Sequence, residues 1–409
     1  MRFFANLFLI LFIADGGFSL VDEIVPLISP LMPFTAARNL LAETVVLMAI
    51  PLYLCLAIDR RLPKRVFLPL IIFVFVCPLS VWLIPELAEI RIYGLLASAA
   101  QLLLGMLPLH YFRQEGERSL TMPPEMFAGP FFSLRNTLIF CAVNLPVIPL
   151  VLALLALSSA DTYMAGYTAG FMRLHPSGLR MTERVYRREE RTIRLAAMIH
   201  VGDREYYREL TELAAQGRIL VLAEGVSDDR KLLHNRIDYG RLAGYLGLTS
   251  QKEMLFKGRL IEPEELETSR PPPKQPGDNK HAAEPDILRA DLDISDFRPE
   301  TISILDAIGK HLRESTSFVQ GITGINSWAK KSITPEMYDI LMDDILYRRN
   351  RTVLSHLDKA VERYDTVVIP WGALHMKEIE AEVLKRGFKL QDERKRVSIN
   401  FLKMLPGKL

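Results

Sequence analysis

Three ionisable residues of this chain each follow a short apolar run: His200, Glu224 and His375. Apolar runs of this length, separated by helix-like stretches, predict buried parallel strands. In open α/β sheets, ligands and reacting groups gather outside the carboxyl ends of the strands. Two histidines and a glutamate at such an edge would form either a metal-binding set or an acid/base set.

Taken singly, each of these residues points to function only weakly. A histidine after a strand is more often structural than a ligand, and a glutamate before a glycine is more often part of a surface turn. The remaining histidines follow no comparable strand signal: His110, His175, His234, His281, His311 and His356. The joint pattern of His200, Glu224 and His375 therefore favours one shared site.

A divalent metal ion is one interpretation of this set. Neutral imidazole and carboxylate are good ligands for Mn²⁺, Co²⁺ or Zn²⁺. Thiolate ligands are excluded from 173–409, since all three cysteines lie earlier in the chain. Two histidines and one carboxylate leave a coordination position open for water, whose pKa the ion would lower. Glu224 would then be either a ligand of the ion or the base that activates the water.

A second polar pair lies in a predicted helix. Arg348 and Arg351 fit a solvated basic helix face, but Asn350 is a weak helix former and is unusual beside them. Arg349 would clamp a substrate carboxylate or steady an oxyanion, and Asn350 would donate hydrogen bonds.

The N-terminal part of the chain is apolar. Residues 1–172 carry 11 acidic and 10 basic side chains, whereas 173–409 carry 37 and 40. This composition predicts a transmembrane region over 1–160, because a helix needs about 20 apolar residues to cross a bilayer. The predicted spans are 3–20, 40–58, 66–84, 92–112 and 137–157. Asp15 and Glu43 are expected near the ends of their spans; the alternative is that they are functional groups inside the membrane. The span 3–20 is broken by Asp15-Gly16-Gly17 and would be a signal anchor, a kinked span or a cleavable signal; it is expected to be retained.

The positive charges near the spans predict an orientation. The loop 59–65 is the most basic and should be cytoplasmic, which places the C-terminal domain outside the cytoplasm of an inner or plasma membrane. The expected partners are the lipid bilayer and a peptide or small-molecule substrate. A nucleic-acid role finds no support, because the net charge of +2 is spread over both signs.

The rest of the chain alternates between strand and helix patterns. A charged connector is predicted over 161–192, helical at 173–192, followed by an α/β domain over 193–409 with a mostly parallel sheet flanked by helices. A Pro-rich segment, 268–286, predicts an exposed loop. Strands are predicted at 193–199, 219–224, 287–294, 366–371 and 396–401. Helices are predicted at 203–216, 239–256, 299–314, 335–362 and 376–386.

Four short motifs carry a family resemblance. They are, in chain order, Ala197-Met198-Ile199-His200-Val201-Gly202-Asp203, then Glu224, then Arg349-Asn350, then Gly372-Ala373-Leu374-His375. Together they resemble the TraB/PrgY/GumN group, which includes the Tiki membrane-anchored proteases, within the erythromycin-esterase/ChaN-like superfamily. Ala197 departs from the glycine of the first motif. The resemblance covers roughly 190–402 and leaves out the spans.

The resemblance implies a fold and a choice of activities. Tiki members imply a metal-dependent peptide hydrolase, with His200, Glu224 and His375 at the metal and Arg349 and Asn350 beside it. TraB members imply shutdown of a peptide pheromone, which requires only binding. The wider superfamily implies a metal-free alternative, in which histidine and glutamate activate water to hydrolyse an ester. We expect a membrane-anchored, metal-dependent hydrolase acting on peptides, with the other two activities as alternatives.

Overall fold

The computed structural model describes residues 1–27, 34–84, 86–90, 92–112, 120–211, 217–251, 256–268 and 284–404. The chain forms two compact units, Met1–Ser158 and Ser159–Leu409.

The first unit is helical. Its helices are α1 (Arg2–Ile24), α2 (Thr35–Ile58), α3 (Lys64–Leu83), α4 (Glu86–Glu89), α5 (Tyr93–Phe112) and α6 (Leu134–Tyr167), of which the part from Ser159 onward belongs to the second unit. Within the described residues, all of these except the short α4 are long and apolar enough to cross a membrane. They correspond to the five spans predicted from the sequence.

The buried core of this unit combines aliphatic side chains with a few aromatic rings. Phe8 and Phe12 of α1 are fully buried; the ring centroid of Phe8 lies 6.5 Å from that of Phe67, and that of Phe12 lies 5.9 Å from that of Phe73. Large apolar residues of α6 are exposed instead: Leu138, Ile139, Val143, Leu145, Leu150 and Leu152. So much exposed apolar surface is typical of helices that face lipid.

Asp15 lies within α1 rather than near its end. The two glycines that follow Asp15 suggested a break, but α1 continues through both of them to Ile24. Gly16 instead allows a close helix contact, because a Cβ atom at that position would lie 3.1 Å from Cγ of Gln101 on α5. The expected position of Asp15 at a span end was therefore wrong.

The second unit contains an eight-stranded sheet with flanking helices. Its strands are β1 (Met172–His175), β2 (Gly178–Arg188), β3 (Arg191–Met198), β5 (Ile219–Ala223), β7 (Arg259–Ile261), β8 (Asp286–Arg289), β9 (Thr366–Gly372) and β10 (Lys389–Asn400). The strand order is β1-β2-β3-β9-β5-β8-β7, with β10 paired to β2. Two short strands, β4 (Val201–Gly202) and β6 (Thr249–Ser250), pair separately.

The sheet is mixed rather than mostly parallel. The strands β3, β9, β5, β8 and β7 are parallel to their neighbours in that order. The pairs that involve β2 are antiparallel. The α/β class is thus confirmed, and the antiparallel part is an addition that the sequence did not predict.

The predicted helix over 173–192 was wrong, because these residues form β1, β2 and the start of β3. The many charges of this segment suggested a solvated helix, but some of them lie inside the unit. Glu183 is 5% exposed and accepts hydrogen bonds from Arg194 and from Arg396, which is 8% exposed. A buried ion network of this kind hides the alternation of apolar and polar residues that normally identifies a strand.

The described helices of the second unit correspond to the predicted ones, except for two that the sequence did not predict, at 263–268 and 318–332. They are α7 (Arg204–Thr211), α8 (Tyr239–Leu246), α9 (Pro263–Thr268), α10 (Pro299–Glu314), α11 (Phe318–Ser332), α12 (Pro335–Met342), α13 (Arg349–Arg363) and α14 (Ala373–Lys385). The predicted helix 239–256 ends at Leu246, because Gly247 adopts a left-handed conformation with φ of 66°. The predicted helix 203–216 is described only as far as Thr211. Most of the predicted loop 268–286 lies outside the described residues.

A π-helical turn, Asp343–Arg348, joins α12 to α13 inside the predicted helix 335–362. Such turns insert one residue into a helix and often occur at functional sites. The buried carboxylate of Asp344 stabilises this one, since it accepts hydrogen bonds from Arg298, Thr301 and Arg348.

Candidate functional site

The carboxyl ends of four neighbouring parallel strands bring ionisable residues to one edge of the sheet. His200 follows β3, His375 lies in the first turn of α14 after β9, Glu224 follows β5, and Asp291 comes shortly after β8. These strands are adjacent in the order β3-β9-β5-β8. The parallel part of the sheet therefore aligns the four residues in a row, as expected for this kind of fold.

Glu224 is fixed by two donors. Its Oε2 atom accepts a hydrogen bond from the backbone N–H of Gly372 at 2.7 Å, and its Oε1 atom accepts one from Nη2 of Arg349 at 2.8 Å. Its side chain is only 4% exposed. Both carboxylate oxygens thus have a partner, and the side chain is held against the start of α14.

Arg349 is the cation at the centre of the site. Its Nε and Nη2 atoms donate to the two oxygens of Asp291 at 2.9 and 2.7 Å, in the paired geometry that guanidinium groups favour. The guanidinium carbon lies 5.3 Å from the ring centroid of Trp371. Burial alone would lower the pKa of Arg349, but Asp291 and Glu224 outweigh it and raise the pKa. Arg349 therefore stays charged between two buried carboxylates.

His375 is held in one tautomer by Asn350. The amide nitrogen of Asn350 donates to Oε2 of Glu378 at 2.6 Å, so its oxygen must face His375. That oxygen lies 2.6 Å from Nδ1 of His375 and can only accept, so Nδ1 carries the proton. The lone pair is therefore on Nε2, which lies 3.3 Å from Nη1 of Arg349 and 3.7 Å from Oε1 of Glu224.

The surroundings keep His375 neutral. Burial is the largest cause and the positive charge of Arg349 is the next; together they lower the pKa of His375 to about 4, against partial compensation from Glu224 and Asp291. His375 is 6% exposed. Near neutral pH its Nε2 atom is thus an unprotonated nitrogen with a lone pair.

His200 is held next to this cluster by two other side chains. Its Nδ1 atom lies 2.7 Å from Oε1 of Gln251, and its ring stacks on Tyr239 with the centroids 4.4 Å apart. Burial, and next the carboxylate of Glu224, raise the pKa of Tyr239. The positive charge of His200 would also lower the pKa of His375 slightly. His200 and Tyr239 thus lie within electrostatic range of the other site residues.

The arrangement does not fit a metal ion as it stands. His200 and His375 both have Nδ1 on an amide oxygen, which leaves Nε2 available, as in many metal-binding histidines. However, Nη1 of Arg349 lies where an ion on Nε2 of His375 would bind, and both oxygens of Glu224 already accept hydrogen bonds. Within the described residues, no three His, Cys, Asp or Glu side chains are grouped to hold an ion. Metal binding by His200, Glu224 and His375 stays a prediction.

We expect a double replacement, Asn350→Asp with Glu378→Gln, to raise the pKa of His375. The exchange keeps an amide–carboxylate hydrogen bond between residues 350 and 378, but it places the negative charge against Nδ1–H of His375. That charge stabilises the imidazolium and should raise the pKa by about one to three units. An NMR titration of histidine-labelled protein, with His375 assigned from a His375→Gln variant, measures the shift. Glu378→Gln alone is the control and should leave the titration nearly unchanged. An unaltered pKa in the double variant would contradict the contact between residue 350 and Nδ1 of His375.

Several residues of this site were not predicted from the sequence. Asp291 lies in the acidic end of the predicted strand 287–294 but was not among the predicted site residues. Glu378 follows His375 by one helical turn, so it was within reach of a search for i,i+3 partners. Tyr239 and Gln251 carried no signal, because their contacts with His200 depend on how distant segments pack.

No protein-family model matches the chain, and no curated protein or solved structure matches it either. The resemblance to the TraB/PrgY/GumN group therefore remains a prediction from the four motifs.

Proposed function

We propose that the second unit is a hydrolase of acyl compounds, peptides foremost, and that the helices of the first unit anchor it in a membrane. One observation carries this proposal: the neutral His375 presents the lone pair of Nε2 beside Glu224 and the charged Arg349. A buried base next to a fixed cation is the combination that hydrolysis of a carbonyl compound requires.

In the proposed reaction, Nη1 of Arg349 leaves its 3.3 Å contact with Nε2 of His375 to bind the carbonyl oxygen of the substrate. The freed Nε2 accepts a proton from water as the water attacks the carbonyl carbon. Asn350 keeps the ring oriented through Nδ1, and Oε1 of Glu224, 3.7 Å from Nε2, stabilises the imidazolium that forms. The charge of Arg349 stabilises the oxyanion that develops on the carbonyl oxygen. The imidazolium then returns its proton to the leaving amine or alcohol.

Peptides are proposed as the substrates because of the resemblance to Tiki members. The membrane setting rests on five helices with the length and composition of spans. The basic loop 59–65 favours a location of the hydrolase unit outside the cytoplasm. Such an enzyme would meet peptides close to the membrane surface.

The metal-dependent form of the same proposal uses Mn²⁺, Co²⁺ or Zn²⁺ at His200, Glu224 and His375. An ion there would polarise the carbonyl group and lower the pKa of its bound water. It would also require Arg349 to move away from Nε2 of His375, which lies 3.3 Å from Nη1. No step of the reaction above depends on the ion.

We expect hydrolysis by the full-length protein to survive thorough chelation. The test is a peptide-library cleavage assay, with a simple ester in parallel, before and after chelation and after adding each of the three metals. Loss of activity on chelation and its return with one metal would favour the metal-dependent form. In that case metal content should fall in His200→Ala but not in His234→Ala, whose histidine is exposed. Tight binding of an intact peptide without cleavage would contradict the hydrolase.

A further inference from the structure

The first unit contains a buried carboxyl group that the proposed hydrolase does not use. Asp15 is 7% exposed and lies inside α1, which has the length and composition of a membrane span. Its Oδ2 atom accepts a hydrogen bond from Nε2 of Gln101 at 2.7 Å. Its Oδ1 atom is buried and has no hydrogen-bond partner among the described residues. An ionised carboxylate in this position would be poorly stabilised.

Among the described residues, Asp15 has no basic partner of its own. Arg38 of α2 is the basic residue whose charge acts on Asp15. Its Nη1 atom lies 3.4 Å from Oε1 of Glu23, so its charge is shared with that carboxylate. The side chain of α5 that contacts Asp15 is Gln101, which is neutral. Within the described residues, Asp15 forms no ion pair. From α3, the aromatic ring of Phe73 packs against Phe12, one turn before Asp15.

The buried side chains of α1 differ on the two sides of Asp15, apart from Asn6 near the N-terminus, whose side chain is bonded to the backbone of Met122. Toward the C-terminal end of α1, the buried side chains are Ser19 and Asp22, with Ser98 on α5. The carboxyl group of Glu23 lies against Gly94 of α5 there, 2.5 Å from where a Cβ atom on Gly94 would stand. Toward the N-terminal end, the fully buried Phe8 and Phe12 close the interface.

We propose that Asp15 is a proton-binding site, loaded from the C-terminal end of α1. A proton on Oδ1 removes the charge from the membrane interior, while Oδ2 keeps its hydrogen bond from Gln101. Ser19, Ser98 and Asp22 provide polar groups between Asp15 and the helix end, along which water can deliver the proton. The aromatic rings on the other side prevent passage through the membrane, so the proton binds and leaves from the same side.

Asp22 provides a matched control on the same helix. Its two oxygens accept hydrogen bonds from the backbone N–H of Phe34 at 3.1 Å and from Oγ1 of Thr35 at 2.9 Å. Both oxygens are thus stabilised in the ionised form, in contrast to Asp15. Replacement by asparagine keeps the shape of either residue, so the variants Asp15→Asn and Asp22→Asn should both fold.

The test is infrared spectroscopy of the full-length protein in lipid bilayers as the pH is changed. We expect the carbonyl band of a protonated carboxylic acid near neutral pH, its loss in Asp15→Asn, and its persistence in Asp22→Asn. Covalent labelling with a hydrophobic carbodiimide, mapped by mass spectrometry, should modify Asp15, decline as the pH rises, and spare Asp22.

Two results would overturn the proposal. One is a protonated-acid band that is absent from the wild-type protein or unchanged in Asp15→Asn. The other is protection of Asp15 from the carbodiimide by added Na⁺ at constant pH, which would make the ligand a metal cation instead of a proton. Neither result depends on whether the second unit hydrolyses peptides.

Discussion

Replacing Arg349 with glutamine is expected to lower the free energy of unfolding by about 3–5 kcal/mol, the usual cost of leaving buried charges without a partner. The side chains of Asp291 and Glu224 are 0% and 4% exposed, and both depend on the same guanidinium group. Without it, the two carboxylates would remain next to each other in a poorly solvated site. The measurement is denaturant unfolding of the full-length protein in detergent micelles.

Arg351 is the matched control for this prediction. It lies two residues further along α13, and its ion pair with Asp343 is exposed, with 61% of the arginine side chain accessible. Arg351→Gln should therefore cost at most about 1 kcal/mol. Adding Asp291→Asn to Arg349→Gln should recover part of the loss, because one of the two uncompensated charges is then removed. Equal destabilisation by Arg349→Gln and Arg351→Gln would contradict the central role of Arg349.

Replacing His375 with glutamine is expected to lower the rate of hydrolysis by about 10²–10⁴-fold, the usual contribution of a general base. The base must be neutral, and the pKa of His375 is lowered to about 4 by burial and by Arg349. Activity in the wild-type protein should therefore extend below the ordinary histidine range and fall only as the pH approaches 4. The pH dependence of the cleavage rate measures both effects.

The same group should make the fold sensitive to acid. Because the pKa of His375 is lower in the folded protein than the ordinary 6.5, protons bind the unfolded chain more tightly. The contribution of His375 to the free energy of unfolding is therefore fully present above pH 6.5. It is lost as the pH falls toward 4, and the loss is about 3 kcal/mol in all. His375→Gln should remove this part of the pH dependence, whereas the exposed His234→Gln should leave both activity and stability unchanged. If the cleavage rate instead fell with a midpoint near pH 6.5, His375 would not be the base.

The parallel half of the sheet was predictable because its sequence is simple. Val367, Val368 and Ile369 of β9, like the apolar run of β5, form continuous buried strands that no solvated helix would contain. Once these strands are parallel, the residues that follow them must meet at one edge. This geometric rule is why His200, Glu224 and His375 could be grouped although they are distant in the chain.

The antiparallel half was not predictable for the opposite reason. Its strand β2 buries Glu183, and the arginines that neutralise it come from β3 and β10. From the sequence alone, Glu183 cannot be distinguished from a solvated surface charge. One of its partners, Arg396, lies in a strand more than 200 residues later. Tyr239 was missed in the same way, since its contact with His200 exists only after α8 has packed.

The π-helical turn before α13 also affects how this chain should be compared with others. A regular helix advances about 100° per residue, so an extra residue in 343–348 rotates everything after it by that angle. Arg349 and Asn350 face Asp291 and His375 because of that rotation. A homologous protein with a regular helix here would place its equivalent pair one position earlier. An alignment should therefore open a one-residue gap inside 343–348, because an ungapped alignment would match the functional pair to the wrong neighbours.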